Sequence, residues 1–447
     1  MGLENLAEML QNKQFIQLRE QLSSMQAADV AEYIQELEND KQVIIVFRLL
    51  PKTLSADVFA LLDADKQTVI CSLIDDHELK SIIDDLYFDD MIDLLEEVPA
   101  YLVKRIMLQR GAKERHLINQ FLKYRDNSAG SLMTIEFVDL HKDMTVEQAM
   151  KRIRRDAAEM ETVYNCYVID GARHLDGIVS LKDIIVAETD ARIEDIMEEN
   201  PTFVFTGDDQ EVVAGLFQKY DLLALPVTDA ENRLVGIITV DDVMDVVEEE
   251  ATEDILKMGA ITPSQESYLS IGVMKIARAR VPWLFFLMIS AAFTGMIISY
   301  YEDTLAAVVV LTACIPMLMN TAGNAGSQTS TTIIRALTLG EIGFKDVLRV
   351  VLKELRVSII CGVTLGVVNF ARLYLLTPGY TAPVALVVSA TLVCTVIFAQ
   401  IIGSMLPMLA SKIGLDPALM AAPLITTIVD AAALVLYFSI ATAVLGL

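Results

Sequence analysis

The hydrophobic pattern changes character twice along the chain. In residues 1 to about 130, short apolar stripes recur at helical spacing between acids, with few glycines. AADVAEYIQEL (27–37), SADVFALL (55–62) and FDDMIDLLEEV (88–98) resemble one another at a spacing of roughly 30 residues, which predicts stacked helical hairpins, an α-solenoid. From about 131 to 250 the pattern becomes β-branched runs broken by turn residues. Residues 240–280 predict a helix, either continuous or broken once, with the break expected near Gly259 to Pro263. Five apolar runs follow Arg280, at about 281–301, 304–322, 357–376, 382–409 and 418–446. Each supplies the roughly 20 residues a helix needs to cross hydrocarbon.

Charge sharpens this division. After Arg280 the basic residues (Arg335, Lys345, Arg349, Lys353, Arg356, Arg372, Lys412) balance the acidic ones (Glu302, Asp303, Glu341, Asp346, Glu354, Asp416, Asp430), so the net charge of −26 lies wholly in residues 1–280. An acidic soluble part of this kind repels nucleic acid and anionic lipid and attracts cations. Cys71, Cys166, Cys314, Cys361 and Cys394 show no paired spacing, which fits a reduced cytosolic setting. Residues 1–30 carry no apolar signal-peptide core, so insertion is expected to begin at an internal span. The four histidines form no nucleophile or metal constellation, and an enzyme is not expected.

The charges flanking the apolar runs set an orientation. Lys275, Arg278 and Arg280 precede the first run, and only Glu302 and Asp303 follow it. Basic residues then cluster after the second run and again, as Lys412, after the fourth, while the loop after the third and the C-terminus have none. This alternation predicts a cytosolic N-terminal part and an extracytoplasmic C-terminus in a plasma (inner) membrane protein.

Asp430 is the single charged residue of the last apolar run. A lone carboxylate at bilayer depth costs roughly 2.5–3.5 kcal/mol and faces a water-filled path, a bound cation or, when protonated, a neighbouring helix. Thr426 and Thr427 lie one turn before it and offer oxygens along the same face; the alternative is hydroxyls bonded back to their own helix. Asn320, Asn324 and Gln328 share a face at four-residue spacing, near Gly323 and Gly326, and read as pore lining or as interhelical hydrogen-bond glue. Pro423 is expected to free a helical carbonyl on the Asp430 side.

Residues 131–250 contain an internal repeat. HLDGIVSLKDII (174–185) matches RLVGIITVDDVM (233–244), and YVID (167–170) matches PVTD (226–229), both at an offset of 59. Each copy reads as strand, turn, strand and then a helix opening at an Asp. The repeat resembles a tandem pair of CBS (cystathionine-β-synthase-type) domains, which implies a regulatory sensor of adenine nucleotides or ions, commonly dimeric. After the second copy come Asp241, Asp242, Asp245, Glu248, Glu249, Glu250, Glu253 and Asp254. Like charges at helical spacing repel, and bound divalent cations would relieve them.

The order of parts, VDDVMDVVEEEATEDI (240–255), PMLMNTAGNAGSQTSTTIIRAL (316–337) and DPALMAAPLITTIVDAAALVLYF (416–438) resemble the MgtE family of CBS-domain magnesium channels and transporters. The resemblance covers essentially the whole chain. It implies a multidomain fold: an acidic helical N domain (1–130), tandem CBS domains (131–250), a plug or connecting helix (251–280) and a five-span membrane domain (281–447). It also implies a homodimer with one Mg²⁺ pore on its axis, gated closed by cytosolic Mg²⁺. Asp430, Thr426, Thr427 and Asn324 are the implied pore residues. Asp57, Asp89, Asp93, Asp221, Asp242, Asp245, Glu250, Glu253 and Asp254 match positions implied to bind regulatory Mg²⁺. The resemblance also implies that the CBS pair can bind ATP, although the sequence does not place an adenine pocket. The chain departs from the family pattern at Ser327, where Asn is expected, which leaves selectivity among divalent ions open. Two other functions stay in view: a proton-coupled transporter of ions such as Mn²⁺, Co²⁺ or Ni²⁺, and a CBS sensor merely tethered by its spans.

Overall fold

The computed structural model describes residues 3–264, 268, 271–302, 308–420 and 422–445. It divides into two compact units, Met1–Val247 and Glu248–Leu447.

The first unit opens with short helices: α1 (Leu3–Gln11), α2 (Phe15–Leu22), α3 (Ala27–Gln35), α4 (Asp40–Leu49), α5 (Lys52–Ala60), α6 (Ala64–Leu73), α7 (Asp76–Asp85), α8 (Phe88–Glu97), α9 (Ala100–Gln109) and α10 (Ala112–Phe121). From α2 to α9, helices pack against the next but one in the chain, so the layer grows as a stack. Each helix is too short to stand alone and depends on its buried stripe, such as Val30 and Ile34 on α3 or Leu94 and Leu95 on α8. Local signals set the ends. Asp75 and Glu78 form a reciprocal capping box at the start of α7, and Pro51 and Pro99 precede α5 and α9. Arg105 on α9 donates to the carbonyls of Cys71 (2.6 Å) and Ile74 (2.9 Å), closing the C-terminal end of α6.

Two small sheets follow, with α11 (Ala129–Leu132) at their entry. One runs β1 (Phe137–Leu140), β2 (Thr162–Ile169), β3 (Leu175–Ser180) and β4 (Glu198–Glu199); the other runs β5 (Val204–Phe205), β6 (Ala224–Thr228) and β7 (Leu234–Thr239). Helices α12 (Val146–Asp156), α13 (Leu181–Val186), α14 (Ile193–Ile196) and α15 (Gln210–Tyr220) complete the modules. The two hairpins are copies in register: Val168 pairs Gly177 and Val227 pairs Gly236, each beside a bulge. Their turns match as well. Arg173 and Asn232 both take the left-handed conformation, and the carboxylates of Asp170 and Asp229 both accept the N–H groups that follow. Glycine is required at 177 and 236, because a Cβ there would lie 2.7 Å from the Glu198 carbonyl and 2.6 Å from the Thr134 carbonyl, respectively. The modules face each other through Phe137, Tyr167, Ile169, Leu234 and Ile237.

One crossover joins the modules. Before entering β1 of the first module, the chain pairs Thr134 with Ile237 of the second and bonds Ala129 and Gly130 to the carbonyls of Asp208 and Thr206. The apolar core of the helical stack therefore continues through Met133 into Val204, Phe217 and Ile238.

Helix α16 (Val240–Met258) leads out of the second module. It ends where Ala260 turns left-handed (φ 54°) and the Ile261 N–H reaches back to the Leu256 carbonyl at 3.0 Å. The second unit then contains α17 (Val273–Tyr300), α18 (Ile315–Thr338), α19 (Val347–Ala371), α20 (Ala382–Lys412) and α21 (Ala422–Leu445). Helix α20 is central and packs on α18, α19 and α21, with Leu392, Val396, Ile425, Val429, Tyr437 and Phe438 in the shared core. Backbones approach closely where Gly326 of α18 meets Gly403 of α20.

Among the described residues, four helical segments are long and apolar enough to cross a membrane: Val273–Tyr300, Phe344–Leu376, Ala382–Lys412 and Pro417–Leu445. The five-span count expected from the sequence is therefore not confirmed among them. The missing span, about 304–322, begins in residues outside the described set. The helix carrying its remainder, α18, spends its length on Asn320, Asn324, Gln328 and a run of Ser and Thr, which lowers its hydropathy. The helices also overrun the predicted apolar runs. α17 starts before Lys275, Arg278 and Arg280, and α19 before Lys353 and Arg356, because basic side chains at span ends extend to the interface without stopping the helix.

Candidate functional site

Acidic side chains gather where α8, the start of α16 and the first CBS module meet within the first unit. Asp89, Asp90 and Asp93 lie on α8, Asp241 and Asp242 on the first turn of α16, and Glu136 and Glu161 beside β1 and β2. Asp89 is 8% exposed, and burial followed by the Asp242 charge pushes its carboxyl well above the usual range. Burial, then Asp241 and Glu136, raises Asp90 to about 6. Burial and the Asp241 and Asp242 charges raise Glu161 to about 8, and its Oε2 is buried without a hydrogen-bond partner. Asp242 rises to about 6 through burial, against a 2.6 Å hydrogen bond donated by the Thr239 hydroxyl. Asp93 rises to about 7 although its side chain is exposed. Crowding by the surrounding fold raises it, and open water reduces what that rise is worth. The charges that act most on all five groups are other carboxylates.

Asp57, Asp89, Asp93 and Asp242 are thus brought into one electrostatic neighbourhood; Asp57, exposed on α5, acts on Asp90. Glu136, Asp90, Glu161 and Asp241 belong to it as well; the first three were missed by the sequence reading, and Asp241 was read in the acidic run of α16 but not among the regulatory positions. Asp90 and Asp241 had a signal, since each adjoins an acid that was chosen. Glu136 and Glu161 had none, because only the fold brings them there. Among the described residues, no three His, Cys, Asp or Glu side chains converge as a ligand cage. The donors are hard carboxylate oxygens, the chemistry a divalent ion that keeps its waters prefers.

A second group lies in the second unit. Glu253 and Asp254 on α16 neighbour Asp416, with Glu250 acting on Asp254 as well; burial, then Asp416, raises Asp254. Lys257 bridges Glu253 and Asp416, at 2.7 Å from the latter. Asp245 is exposed on α16. Asp221 is the left-handed residue ending α15 (φ 51°), exposed, and among the described residues it enters neither group.

In the helical bundle, Asp430 lies in the middle of α21, half-buried, with Oδ1 buried and without a partner. Thr426 packs against Gly323 of α18, where a Cβ would sit 3.0 Å from its Cγ2. Thr427 donates its hydroxyl to the Pro423 carbonyl at 2.9 Å, the back-bonded arrangement. Pro423 does not open the helix as expected, because it sits in the first turn of α21, where no N–H is needed. Asn320, Asn324 and Gln328 are all exposed, and the Asn324 amide donates toward Asn320 Oδ1 at 3.5 Å.

An acidic helical stack and two paired CBS modules, followed by a bundle of long apolar helices, define a polytopic membrane protein that carries CBS modules. The comparisons agree with that class. The family model for the MgtE intracellular N domain matches residues 25–127, that for the CBS domain matches 129–190 and 193–249, and that for the MgtE divalent cation transporter matches 315–440. The magnesium transporter MgtE of Thermus thermophilus is 38% identical over 441 residues, covering 98% of this chain and 97% of its own. Its namesake from Bacillus subtilis is 32% identical over 426 residues, 94% and 87% of the two chains. The chain belongs to the MgtE family. Among solved structures, the soluble part of a magnesium transporter matches with TM-score 0.51 and 33% identity, over 56% of this chain and 98% of its own. The cytosolic domain of the Mg²⁺ channel MgtE in complex with ATP matches with TM-score 0.52 and 37% identity, over 55% and 99%.

Proposed function

We propose that the chain is a Mg²⁺-selective channel that admits Mg²⁺ to the cytosol and is closed by Mg²⁺ bound on its cytosolic side. The observation that carries this reading is the concentration of uncompensated carboxylates between α8, the first CBS module and α16. Held together without a counter-cation, they repel; a hydrated divalent ion offsets that repulsion and favours the compact arrangement. Asp57, Asp89, Asp93 and Asp242 act at this junction. Glu250, Glu253 and Asp254 act at the far end of α16, while Asp221 and Asp245 are assigned to regulatory ions by family resemblance.

In the membrane domain, Asp430 meets the permeating ion, with Thr426, Thr427 and Asn324 supplying neutral oxygens to its water shell. The partnerless Asp430 oxygen and the exposed amides of α18 support this role. In a two-fold homodimer each of these groups occurs twice, one copy on either side of the axis, which suits a hydrated dication. The domain limits follow the sequence reading: helical domain 1–130, CBS pair 131–250, connecting helix 251–280 and membrane domain 281–447, with the N-terminus cytosolic and the C-terminus outside. The CBS pair is the site for ATP, in line with the relative solved as its ATP complex.

The test is Mg²⁺ current in voltage-clamped patches as Mg²⁺ at the cytosolic face is stepped from none to millimolar, for wild type and Asp430→Ala. Closure at high Mg²⁺ in wild type, with current or selectivity lost in Asp430→Ala, is expected. Transport without channel current would establish a coupled carrier instead, and no transport at all a tethered sensor.

A further inference from the structure

Lys257 occupies the last turn of α16. Its ammonium lies between Glu253, one turn back on the same helix, and Asp416 Oδ2 at 2.7 Å, in the segment before α21. Asp416 is fixed from the other side as well, since its Oδ1 accepts the Ala418 N–H at 2.8 Å. The next residue, Met258, packs against Ile334 of α18 and Ala418. One ion-pair bridge and one apolar contact therefore anchor the end of α16 to α18 and to the approach of α21. These helices carry Asn324 and Asp430. Burial opposes the charge on Lys257, yet the two carboxylates hold its ammonium above the ordinary lysine value. Asp254, beside them, feels Asp416, Glu250 and Glu253 as repulsion and Lys257 as relief.

We propose that Lys257 is a tethered counter-ion of the Glu253–Asp416 pair, and that the divalent cation closing the channel must displace it, so that Lys257 sets the cation concentration at which closure occurs. This rests on closure by cytosolic Mg²⁺. The physical argument is exclusion. An ammonium within hydrogen-bond distance of both carboxylates repels an incoming dication and holds the oxygens it would take. Neither carboxylate is fully buried (side chains 33% and 29% exposed), so the bridge is weak enough to be exchanged. Removing the ammonium leaves the carboxylates with their charge unspent, and the site then takes a dication at lower concentration.

The experiment compares full-length wild type, Lys257→Gln, Lys257→Arg and Lys257→Gln with Asp416→Asn. Half-closing Mg²⁺ is read from patch currents, and Mn²⁺ binding to the purified chain from the loss of the free-ion paramagnetic resonance signal. In Lys257→Gln, half-closing Mg²⁺ is expected to fall, and Mn²⁺ binding to tighten, by about fivefold, the worth of two partly exposed ion pairs. Lys257→Arg keeps the charge and stays near wild type. In the Asp416→Asn background the gain from Lys257→Gln is lost. A half-closing concentration that is unchanged, or that rises in Lys257→Gln, overturns the proposal; a rise would make the bridge an aid to closure. If wild type does not close with Mg²⁺ at all, the gating reading falls. The Mn²⁺ arm then decides alone: tighter binding in Lys257→Gln supports competition, and unchanged binding refutes it.

Discussion

Asp242→Asn isolates the repulsion at the junction of the helical stack and the CBS pair. The substitution removes one charge and keeps a side-chain oxygen for the Thr239 hydroxyl, which now donates to Asp242 at 2.6 Å. The carboxyl is raised from 3.8 to about 6 in the folded chain, by burial and by Asp241 and Asp90. At about 1.4 kcal/mol per unit this sets a ceiling of about 3 kcal/mol on the stability that the charge removes. Loss of an anion from the first turn of α16 returns about 0.3–1 kcal/mol. Water at the half-buried site screens more, leaving a net gain of about 1–2 kcal/mol for Asn. In a unit of this size that amounts to a rise in Tm of about 3–6 °C. The sign follows from linkage. An acid whose folded value is raised holds more protons folded than unfolded, so wild type loses stability as pH climbs from about 4 to about 6, and stays at the lower level above that. The Asn variant has no such loss, so the two should melt alike below about pH 4 and differ fully by about pH 8. The assay is thermal unfolding of the full chain in detergent with EDTA across that range, repeated with Mg²⁺. Wild type should gain more from Mg²⁺ than the variant. A variant less stable than wild type at the alkaline end in EDTA would refute the reasoning, because it would show the charge to be satisfied rather than opposed.

Two further substitutions probe packing. Gly403→Ala places a methyl on the Gly326 carbonyl, so α18 and α20 must separate. It should cost about 1–3 kcal/mol in detergent unfolding, whereas Gly295→Ala on α17, with open space at its Cβ, should cost nothing. Tyr167 is fully buried and its hydroxyl has no partner. Tyr167→Phe should leave the first unit as stable or up to about 1 kcal/mol more so, read by urea unfolding.

How far the chain could be read in advance depends on the distance over which each feature is written. The CBS hairpins were legible because a strand, a turn and a strand lie within one short window and recur at an offset of 59. The same offset carries the Asp170 and Asp229 turns and the paired glycines 177 and 236. The break after α16 was legible for a similar reason, with Gly259 and Pro263 marking it, although the left-handed turn itself falls on Ala260. The crossover at Thr134 was not legible. Its partner Ile237 lies in the other module, and an isolated bridge leaves no periodic mark in sequence.

Chemistry followed the same rule. Asp89 and Asp242 were singled out by family resemblance, and the fold sets them in one electrostatic neighbourhood. Glu136 and Glu161 carry no local signal, and only the fold of β1 and β2 brings them beside α16. Lys257 shows the limit from the opposite side. A single lysine ending an acidic helix reads as a C-terminal charge favoured by the helix dipole. Its partner Asp416 lies far along the chain, so the bridge becomes visible only when the second unit is folded. A regulatory site assembled from distant carboxylates is therefore expected to be under-read from sequence in the same direction: counter-charges and acids contributed by loops will be missed, and those on acidic helices found.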